Sequence, residues 1–220
     1  MNVLVVDVGG THVKLLATGH KTPIKIPSGP KMTARLMVRR VRRAATGWSY
    51  SAVSIGYPGV VLHGKPISEP HNLGRGWVGF DFERAFGRPV IVINDAAMQA
   101  YGSYKGGRML FLGLGTGLGS ALIVDGVLEP TELAHLPYKK GRTYEEYVGD
   151  AGLKRLGKKK WRRHVIDVVE RFKAALEVQD VVIGGGNATL LDKVSAGVRL
   201  VTNANAFAGG YRLWKDRRHG

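Results

Sequence analysis

The chain has 220 residues, a hydrophobic content of 44% and a formal net charge of +16 at pH 7. This length suits one large domain or two small lobes, and the composition is ordinary for a folded globular protein. The absence of cysteine excludes a disulfide framework and any cysteine-ligated metal site, and it fits a reducing cytoplasm. The basic balance predicts an anionic partner, which is a polyanion, an anionic substrate or a membrane surface.

Neither a signal peptide nor a membrane span is expected from this sequence. The stretch MNVLVVDVGG lacks a basic n-region and a cleavage site, and it predicts a strand. No run of about 20 apolar residues occurs. We therefore expect a cytoplasmic protein that makes no membrane contact.

The first part of the chain predicts a glycine-tipped hairpin followed by helices and further strands. A helix beginning after Thr33 has apolar residues on one face and arginines on the other, and Thr33 suits its N-cap. The predicted elements are strands at 2–8, 13–19 and 21–26, the helix from 33, strand–turn–strand over 49–61, a helix at 81–87, a strand at 89–95 and a helix at 96–104.

A similar unit follows. The predicted elements are strands at 108–115 and 118–126, a short helix at 143–149, a long helix at 158–176, strand, turn and helix over 180–194, a strand at 196–201 and a helix at 204–216. We therefore predict an α/β protein with an N-terminal lobe over 1–95 and a C-terminal lobe over 96–220. The last helix is a candidate to pack back on the N-terminal lobe.

Three glycine-rich turns are candidates for phosphate contact, because glycine lets a ligand approach the backbone closely. The first, DVGGTHVK, adds the carboxylate of Asp7, the hydroxyl of Thr11 and the cation of Lys14. The others are LGLGTGLGS at 112–120 and VVIGGGNA at 181–188, where a helix N-terminus would favour phosphate. Ordinary hairpin and strand–helix turns explain the same glycines.

Polar side chains at other positions suit a hydroxylated substrate. Asp95 ends a buried strand, where α/β sheets place their sites, and it suits proton transfer from a hydroxyl. Taken alone, Asp95 is better explained as a helix N-cap. Glu132 and His135 are three residues apart and suit one shared ligand, whereas surface charge is the alternative.

Together these stretches resemble the ROK family of sugar kinases, within the actin–hexokinase superfamily. VVDVGGTHVK and LGLGTGLGSALIVDG resemble its two phosphate motifs, and VVIGGGNA resembles its adenosine motif. GYPGVV, NLGRGW, VIND and TELAH resemble its sugar-side motifs. The resemblance runs from about residue 3 to 190 and is strongest to the polyphosphate glucokinases. It implies a two-lobed, ribonuclease H-like α/β fold with a cleft between the lobes.

The resemblance also implies roles for individual residues. Asp95 would be the general base for the sugar 6-hydroxyl, and Asp7 would position Mg²⁺ through water. The sugar would contact Gly59, Asn72, Asn94, Glu132, His135 and Glu145. The phosphoryl donor, polyphosphate or ATP, would contact Gly9, Gly10, Thr11, Lys14, Gly115, Thr116, Gly117, Gly184, Gly185 and Gly186.

The sequence departs from the family pattern in two respects. Many members carry a cysteine-rich zinc site, which this chain cannot form, so no zinc site is expected. Ala134 stands where glycine is usual in the Glu-x-Gly-His pattern, which bears on sugar specificity. Relatives are commonly dimers, so a homodimer is one expectation, although no interface signature is present.

Three functions follow as hypotheses. The first is a kinase that phosphorylates glucose from polyphosphate, with ATP as a further donor. The second is a strictly ATP-dependent kinase for another hexose or an N-acetyl sugar. The third is a non-catalytic sugar-binding or nucleic-acid-binding regulator, which the intact Asp7, Asp95 and phosphate loops disfavour. No nucleic-acid partner is expected.

The stretch LKRLGKKKWRRH at 153–164 concentrates positive charge where the long helix begins. Cations at a helix N-terminus are unfavourable because the helix dipole is already positive there. A bound polyanion would interact favourably with both the basic side chains and the helix N-terminus. A solvated helix face is the alternative. The residues predicted to hold a polyphosphate tail are Lys158, Lys159, Lys160, Arg162 and Arg163.

Overall fold

The computed structural model describes residues 1–202 and 204–216, with all their side chains except those at positions 130 and 216. The chain forms two compact units. Unit 1 comprises Met1–Met98 together with the residues from Ala206 onward, and unit 2 comprises Gln99–Asn205. Among the described residues, no helix has both the length and the apolar character of a membrane span.

Residues 1–103 alternate between strands and helices. The strands are β1 (Val3–Val8), β2 (His12–Ala17), β3 (Ile24–Pro27), β4 (Ala52–Tyr57), β5 (Val61–Leu62), β6 (Lys65–Pro66) and β7 (Val90–Asn94), and the helices are α1 (Ala34–Ala44), α2 (Phe82–Phe86) and α3 (Asp95–Ser103).

The remaining part of the chain repeats this alternation. The strands are β8 (Arg108–Leu114), β9 (Leu118–Val124), β10 (Val127–Thr131), β11 (Pro137–Lys139), β12 (Arg142–Thr143), β13 (Asp180–Gly184) and β14 (Val198–Leu200), and the helices are α4 (Tyr144–Val148), α5 (Asp150–Ala175) and α6 (Ala204–Asp216). Two 3-10 turns lie at Leu133–His135 and Gly186–Leu190.

Each unit is built on a five-stranded mixed sheet of the same topology. The strand order is β3-β2-β1-β4-β7 in unit 1 and β10-β9-β8-β13-β14 in unit 2. In unit 1, β1 pairs antiparallel with β2 and parallel with β4, which is parallel to β7. In unit 2, β8 pairs in the same way with β9 and β13, and β13 is parallel to β14. This repeated α/β arrangement is the predicted fold class, with the glycine-rich tips at corresponding positions of the two sheets.

Helices cover both faces of the unit 1 sheet. All six residues of β1 are buried, and its side chains alternate between two apolar clusters. One cluster holds α1, whose N-cap Thr33 accepts a hydrogen bond from the backbone N–H of Leu36 at 3.2 Å. The other holds α3 and α6, and the Ser54 hydroxyl donates to the Gly210 carbonyl at 2.7 Å. Helix α6 therefore packs on the sheet opposite α1.

In unit 2, α5 supplies the main apolar layer. Its buried side chains are Trp161, Val165, Val168, Val169 and Phe172. This confirms the apolar stripe predicted for the helix. The helix begins at Asp150, earlier than predicted, and is interrupted at Gly157, whose φ of 73° is non-helical.

One predicted element is wrong and others were not predicted. The helix expected within 180–194 is a 3-10 turn over Gly186–Leu190. Where the chain leaves this turn, Arg162 of α5 binds the Leu190 carbonyl and the Asp192 carboxylate. Strands β6, β10, β11 and β12 were not predicted, because short strands at sheet edges or in two-stranded ribbons have weak periodicity.

Candidate active site

The hairpin β1–β2 places a buried carboxylate opposite a lysine. Asp7 and Lys14 are paired in register, and the Lys14 Nζ lies 3.2 Å from the Asp7 Oδ2. Burial raises the pKa of Asp7, and the charge of Lys14 opposes that shift. The hairpin therefore fixes both predicted donor-side groups on neighbouring strands.

Ser28, which was not predicted as a site residue, stabilises the tip of this hairpin. The Ser28 hydroxyl donates to the Gly9 carbonyl at 2.6 Å, and the Ser28 backbone N–H donates to the Thr11 carbonyl at 2.9 Å. A Cβ built on Gly10 would lie 3.2 Å from the Cβ of Asn72. The predicted phosphate loop and the predicted sugar residue Asn72 are thus adjacent.

A second group of predicted residues meets where β7 passes into α3. The Asn94 side-chain amide donates to the Gly59 carbonyl at 3.1 Å, and its oxygen accepts from the Ala97 N–H at 3.1 Å. Asp95 is half-buried, and its Oδ1 accepts from the Ala96 N–H at 2.8 Å. Backbone donors at the start of a helix stabilise a negative charge there. The carboxylate of Asp95 is therefore fixed by α3 while Asn94 ties this corner to the loop of Gly59.

In unit 2 the second glycine hairpin joins two other elements. The Gly115 carbonyl accepts from the Asp150 backbone N–H at 3.0 Å and from the Asn187 side-chain amide at 3.3 Å. The same amide lies 2.6 Å from the Asp150 Oδ1. The predicted donor-side turns at 115–117 and 184–186 are therefore brought together. Asp150 and Asn187 form this connection, and neither was predicted as a site residue.

The glycines of these turns differ in what the fold requires of them. Gly185 has a φ of 87°, and a Cβ there would overlap the backbone of Leu114. A Cβ on Gly117 would overlap the carboxylate of Glu145. By contrast, Gly115 and Gly186 have ordinary φ angles and open space where a Cβ would lie. Packing therefore does not require glycine at these two positions, and the open space leaves the backbone accessible there.

The three predicted sugar residues of unit 2 have different surroundings. The Glu145 Oε2 accepts from the backbone N–H of Leu118 at 3.1 Å. The His135 Nε2 lies 3.9 Å from the Glu132 Oε2, and these side chains are 71% and 56% exposed. Glu145 is therefore anchored to the phosphate hairpin, while Glu132 and His135 form a solvent-exposed pair.

The basic stretch divides into exposed and engaged side chains. Lys158, Lys159, Lys160 and Arg163 are exposed, whereas Arg162 forms an ion pair with Asp192. Trp161 between them is buried and donates to the Val148 carbonyl at 2.8 Å. No aromatic face is thus offered to solvent within Lys158–Arg163.

The residues of unit 1 fit a divalent metal held mainly by its substrate. Among the described residues, no cluster of three or more His, Cys, Asp or Glu side chains forms a metal cage. Mg²⁺ commonly uses one or two protein carboxylates, with waters and substrate phosphates completing its octahedron. The carboxylate of Asp7 beside the glycine tip satisfies that requirement.

Comparison with known proteins identifies the family. The model of the ROK family matches residues 3–130. Polyphosphate glucokinase from Mycobacterium tuberculosis is 29% identical over 210 residues, covering 86% of this chain and 78% of the relative.

Solved structures share the fold. The inorganic polyphosphate/ATP-glucomannokinase from Arthrobacter sp. strain KM matches with a TM-score of 0.79 and 23% identity, covering 94% of this chain and 96% of the other. The ROK family glucokinase from Streptomyces griseus, in complex with glucose and AMPPNP, matches with a TM-score of 0.73 and 16% identity, covering 97% and 99%. The chain therefore belongs to the ROK family and is a phosphotransferase.

Proposed function

We propose that this protein transfers a phosphoryl group from inorganic polyphosphate, and also from ATP, to the 6-hydroxyl of glucose. The observation that carries the proposal is the open space at Gly115 and Gly186, on turns joined through Asn187. Backbone that is accessible and free of packing constraints at two adjoining turns supports their assignment to the phosphoryl donor. The names of the curated relatives and of the Arthrobacter enzyme support glucose and polyphosphate as substrates.

The acceptor chemistry is assigned to unit 1. The Asp95 carboxylate accepts the proton of the sugar 6-hydroxyl as the oxygen attacks the phosphoryl group. Asn94, held between the Gly59 carbonyl and the Ala97 N–H, fixes the backbone from which Asp95 projects. Asn72 and Gly59 are assigned to the same sugar, and Glu132, His135 and Glu145 of unit 2 are assigned to the remaining hydroxyls.

The donor chemistry uses backbone groups of both units. In unit 1, Gly9, Gly10 and Thr11 contact the transferred phosphoryl group, and Lys14 adds positive charge. In unit 2, Gly115–Gly117 hold the following phosphates, and Gly184–Gly186 cover the adenosine when ATP binds. Such preorganised backbone donors supply most of the positioning and charge stabilisation on which phosphoryl transfer depends.

Asp7 is assigned to Mg²⁺ through water. When bound, the metal neutralises charge on the phosphoryl oxygens. The pairing with Lys14 keeps the Asp7 carboxylate oriented within the sheet.

The tail of a polyphosphate donor is assigned to Lys158, Lys159, Lys160 and Arg163, with Arg162 contributing its charge while it remains paired to Asp192. The Asp150 N–H touches the Gly115 carbonyl, and the seven residues from Asp150 to Leu156 form the first segment of α5. Such a segment is about 10 Å long. A polyphosphate chain that leaves the Gly115 turn and follows this segment therefore needs only a few phosphate groups to reach these cations.

One assay tests the proposal. The protein is incubated with glucose, Mg²⁺ and either ATP or long-chain polyphosphate, and glucose 6-phosphate is measured. We expect product with both donors. Product from ATP alone would overturn the polyphosphate assignment. Product that forms only when another hexose or an N-acetyl sugar replaces glucose would overturn glucose as the acceptor. The absence of product with every sugar and both donors would favour a sugar-binding regulator.

A further inference from the structure

Four arginines line an open groove between α1 and α2 of unit 1. The groove has a volume of about 960 Å³, and Val38, Phe80 and Ala85 contribute to its floor. We call it the arginine groove and define it by Arg35, Arg39, Arg42 and Arg84. Helix α1 lies on the sheet face opposite α3, so the groove is separate from the Asp95 corner.

The spacing of these arginines creates a linear row of charge. Arg35, Arg39 and Arg42 follow one another at four and three residues, so they share one face of α1 and span about 10 Å along its axis. The Arg42 Nη1 donates to the Ala85 carbonyl at 3.2 Å, which fixes its guanidinium across the groove toward α2. Arg84 adds a fourth cation from α2 itself.

This charge is not neutralised within the protein. In the part of the chain that the structure describes, none of the four arginines forms an ion pair. The carboxylate that lines the groove, Asp81, is the N-cap of α2 and accepts from the Arg84 backbone N–H at 2.9 Å. Uncompensated positive charges on one face raise the local positive potential, which attracts an anion.

We infer that the arginine groove binds a segment of inorganic polyphosphate, at some distance along the donor from the phosphate that reacts. This inference rests on the proposed use of polyphosphate. Guanidinium groups match phosphate oxygens in pairs, and a row of them suits a linear chain with a charge on every unit. Because the groove and the Asp95 corner belong to helices on opposite faces of the unit 1 sheet, contact with both requires a long donor.

The aromatic residues here favour polyphosphate over single-stranded nucleic acid. Nucleic-acid grooves interleave cations with aromatic faces on which bases stack. Phe80 is half-buried and packs edge-on against Phe82, with ring centroids 4.9 Å apart. Phe80 is the one aromatic ring among the residues that line the groove, against four guanidinium groups, and this ratio favours a phosphate chain over stacked bases.

The test compares two variants that each lose three positive charges. The groove variant carries Arg35→Gln, Arg39→Gln and Arg84→Gln. The control carries Lys21→Gln, Lys105→Gln and Arg108→Gln, which are exposed residues outside the groove. Binding of end-labelled long-chain polyphosphate is followed by fluorescence anisotropy over a salt series. Initial rates with long-chain polyphosphate, tripolyphosphate and ATP are measured in parallel, and circular dichroism checks folding.

We expect the groove variant to bind long-chain polyphosphate about tenfold more weakly than the wild type, as loss of three exposed charge contacts implies. The slope of log K against log salt should be shallower by about 2. KM should rise for long-chain polyphosphate but not for tripolyphosphate or ATP. The control variant should remain close to the wild type.

Equal binding by the two variants would overturn the groove while leaving the proposed reaction intact. If the wild type makes no glucose 6-phosphate from polyphosphate, the proposed donor is wrong. The difference in polyphosphate affinity between the groove variant and the control variant then tests by itself whether the groove binds polyphosphate. Single-stranded DNA is the competitor at equal phosphate concentration. If it displaces polyphosphate from the wild type, and the groove variant loses as much affinity for DNA as for polyphosphate, then the groove is a nucleic-acid site and the polyphosphate assignment is overturned. If the triple variant does not fold, Arg39→Glu alone is measured under the same criteria.

Discussion

The Glu145 Oε2 accepts a hydrogen bond from the backbone N–H of Leu118 at 3.1 Å. This bond joins helix α4 to the strand that leaves the second glycine tip. Glu145, to which the family resemblance assigns a sugar contact, therefore also stabilises the second glycine hairpin. The carboxylate occupies the space where a side chain on Gly117 would lie, so glycine at 117 and glutamate at 145 depend on each other.

Alanine substitutions at two neighbouring glycines should have different consequences. Gly117→Ala forces the Glu145 carboxylate away and leaves the Leu118 N–H unpaired, which should lower the free energy of unfolding by about 1–3 kcal/mol. Gly115→Ala places a methyl group in open space, so the fold should be unaffected while donor binding weakens. Urea unfolding and the KM for each donor measure both effects.

The two variants serve as controls for each other. A stable Gly115→Ala protein with an unchanged KM for ATP and polyphosphate would remove Gly115 from the donor site. A Gly117→Ala protein as stable as the wild type would show that the Glu145–Leu118 bond contributes little.

Asp95→Asn should lower turnover by orders of magnitude and preserve the fold. Asparagine retains an oxygen that accepts from the Ala96 N–H, so the start of α3 is maintained. It cannot take the proton of the sugar hydroxyl, and the rate should fall by about 10²–10⁴. Glucose binding, followed by calorimetry, should survive. Retained turnover would exclude Asp95 as the general base.

A second polar cluster allows a prediction about pH and stability. Burial disfavours the charge of Asp167, but hydrogen bonds from Tyr138, Arg171 and Lys139 outweigh that effect and lower its pKa to about 2. The Tyr138 hydroxyl lies 2.5 Å from the Asp167 Oδ2. A carboxyl whose pKa is lower in the folded state stabilises the protein above its unfolded pKa, and this contribution is lost as the pH falls toward the folded pKa.

Asp167→Asn should therefore lower the free energy of unfolding by about 1 kcal/mol at pH 7, a value reduced for solvent screening because the side chain is 37% exposed. The difference from the wild type should shrink as the pH falls from about 4 toward about 2. Urea unfolding across this range measures it. Glu170→Gln, on the exposed side of the same helix, is the control, and an equal pH dependence there would contradict the assignment.

Local signals in the sequence were sufficient for the elements that carry the site. Apolar runs around GGTH and GTG predicted both hairpins, and Thr33 with its apolar spacing predicted α1. These features depend on residues close in sequence. The resemblance to family motifs then supplied roles that no periodicity could indicate.

Contacts between distant residues could not be predicted in this way. Asp150 and Asn187 meet at the Gly115 carbonyl only because α5 and β13 fold against the same hairpin tip. The difference between Gly115, with open space, and Gly185, with a positive φ, is likewise invisible in a run of glycines. The row of arginines on α1 was visible as a helix face, but the groove depends on α2 lying beside it.

The basic stretch of α5 gives the last prediction. Lys158, Lys159 and Lys160 are exposed and form no ion pair among the described residues, so replacing all three by glutamine should leave the fold intact. The KM for polyphosphate should rise by about tenfold, as loss of three exposed charge contacts implies, while the KM for ATP changes little. Arg162→Gln is the contrasting variant, because it also breaks the pair with Asp192 and should lower the unfolding temperature, which the lysine variant should not. Equal loss with both donors, or no loss, would make the lysines a solvated helix face.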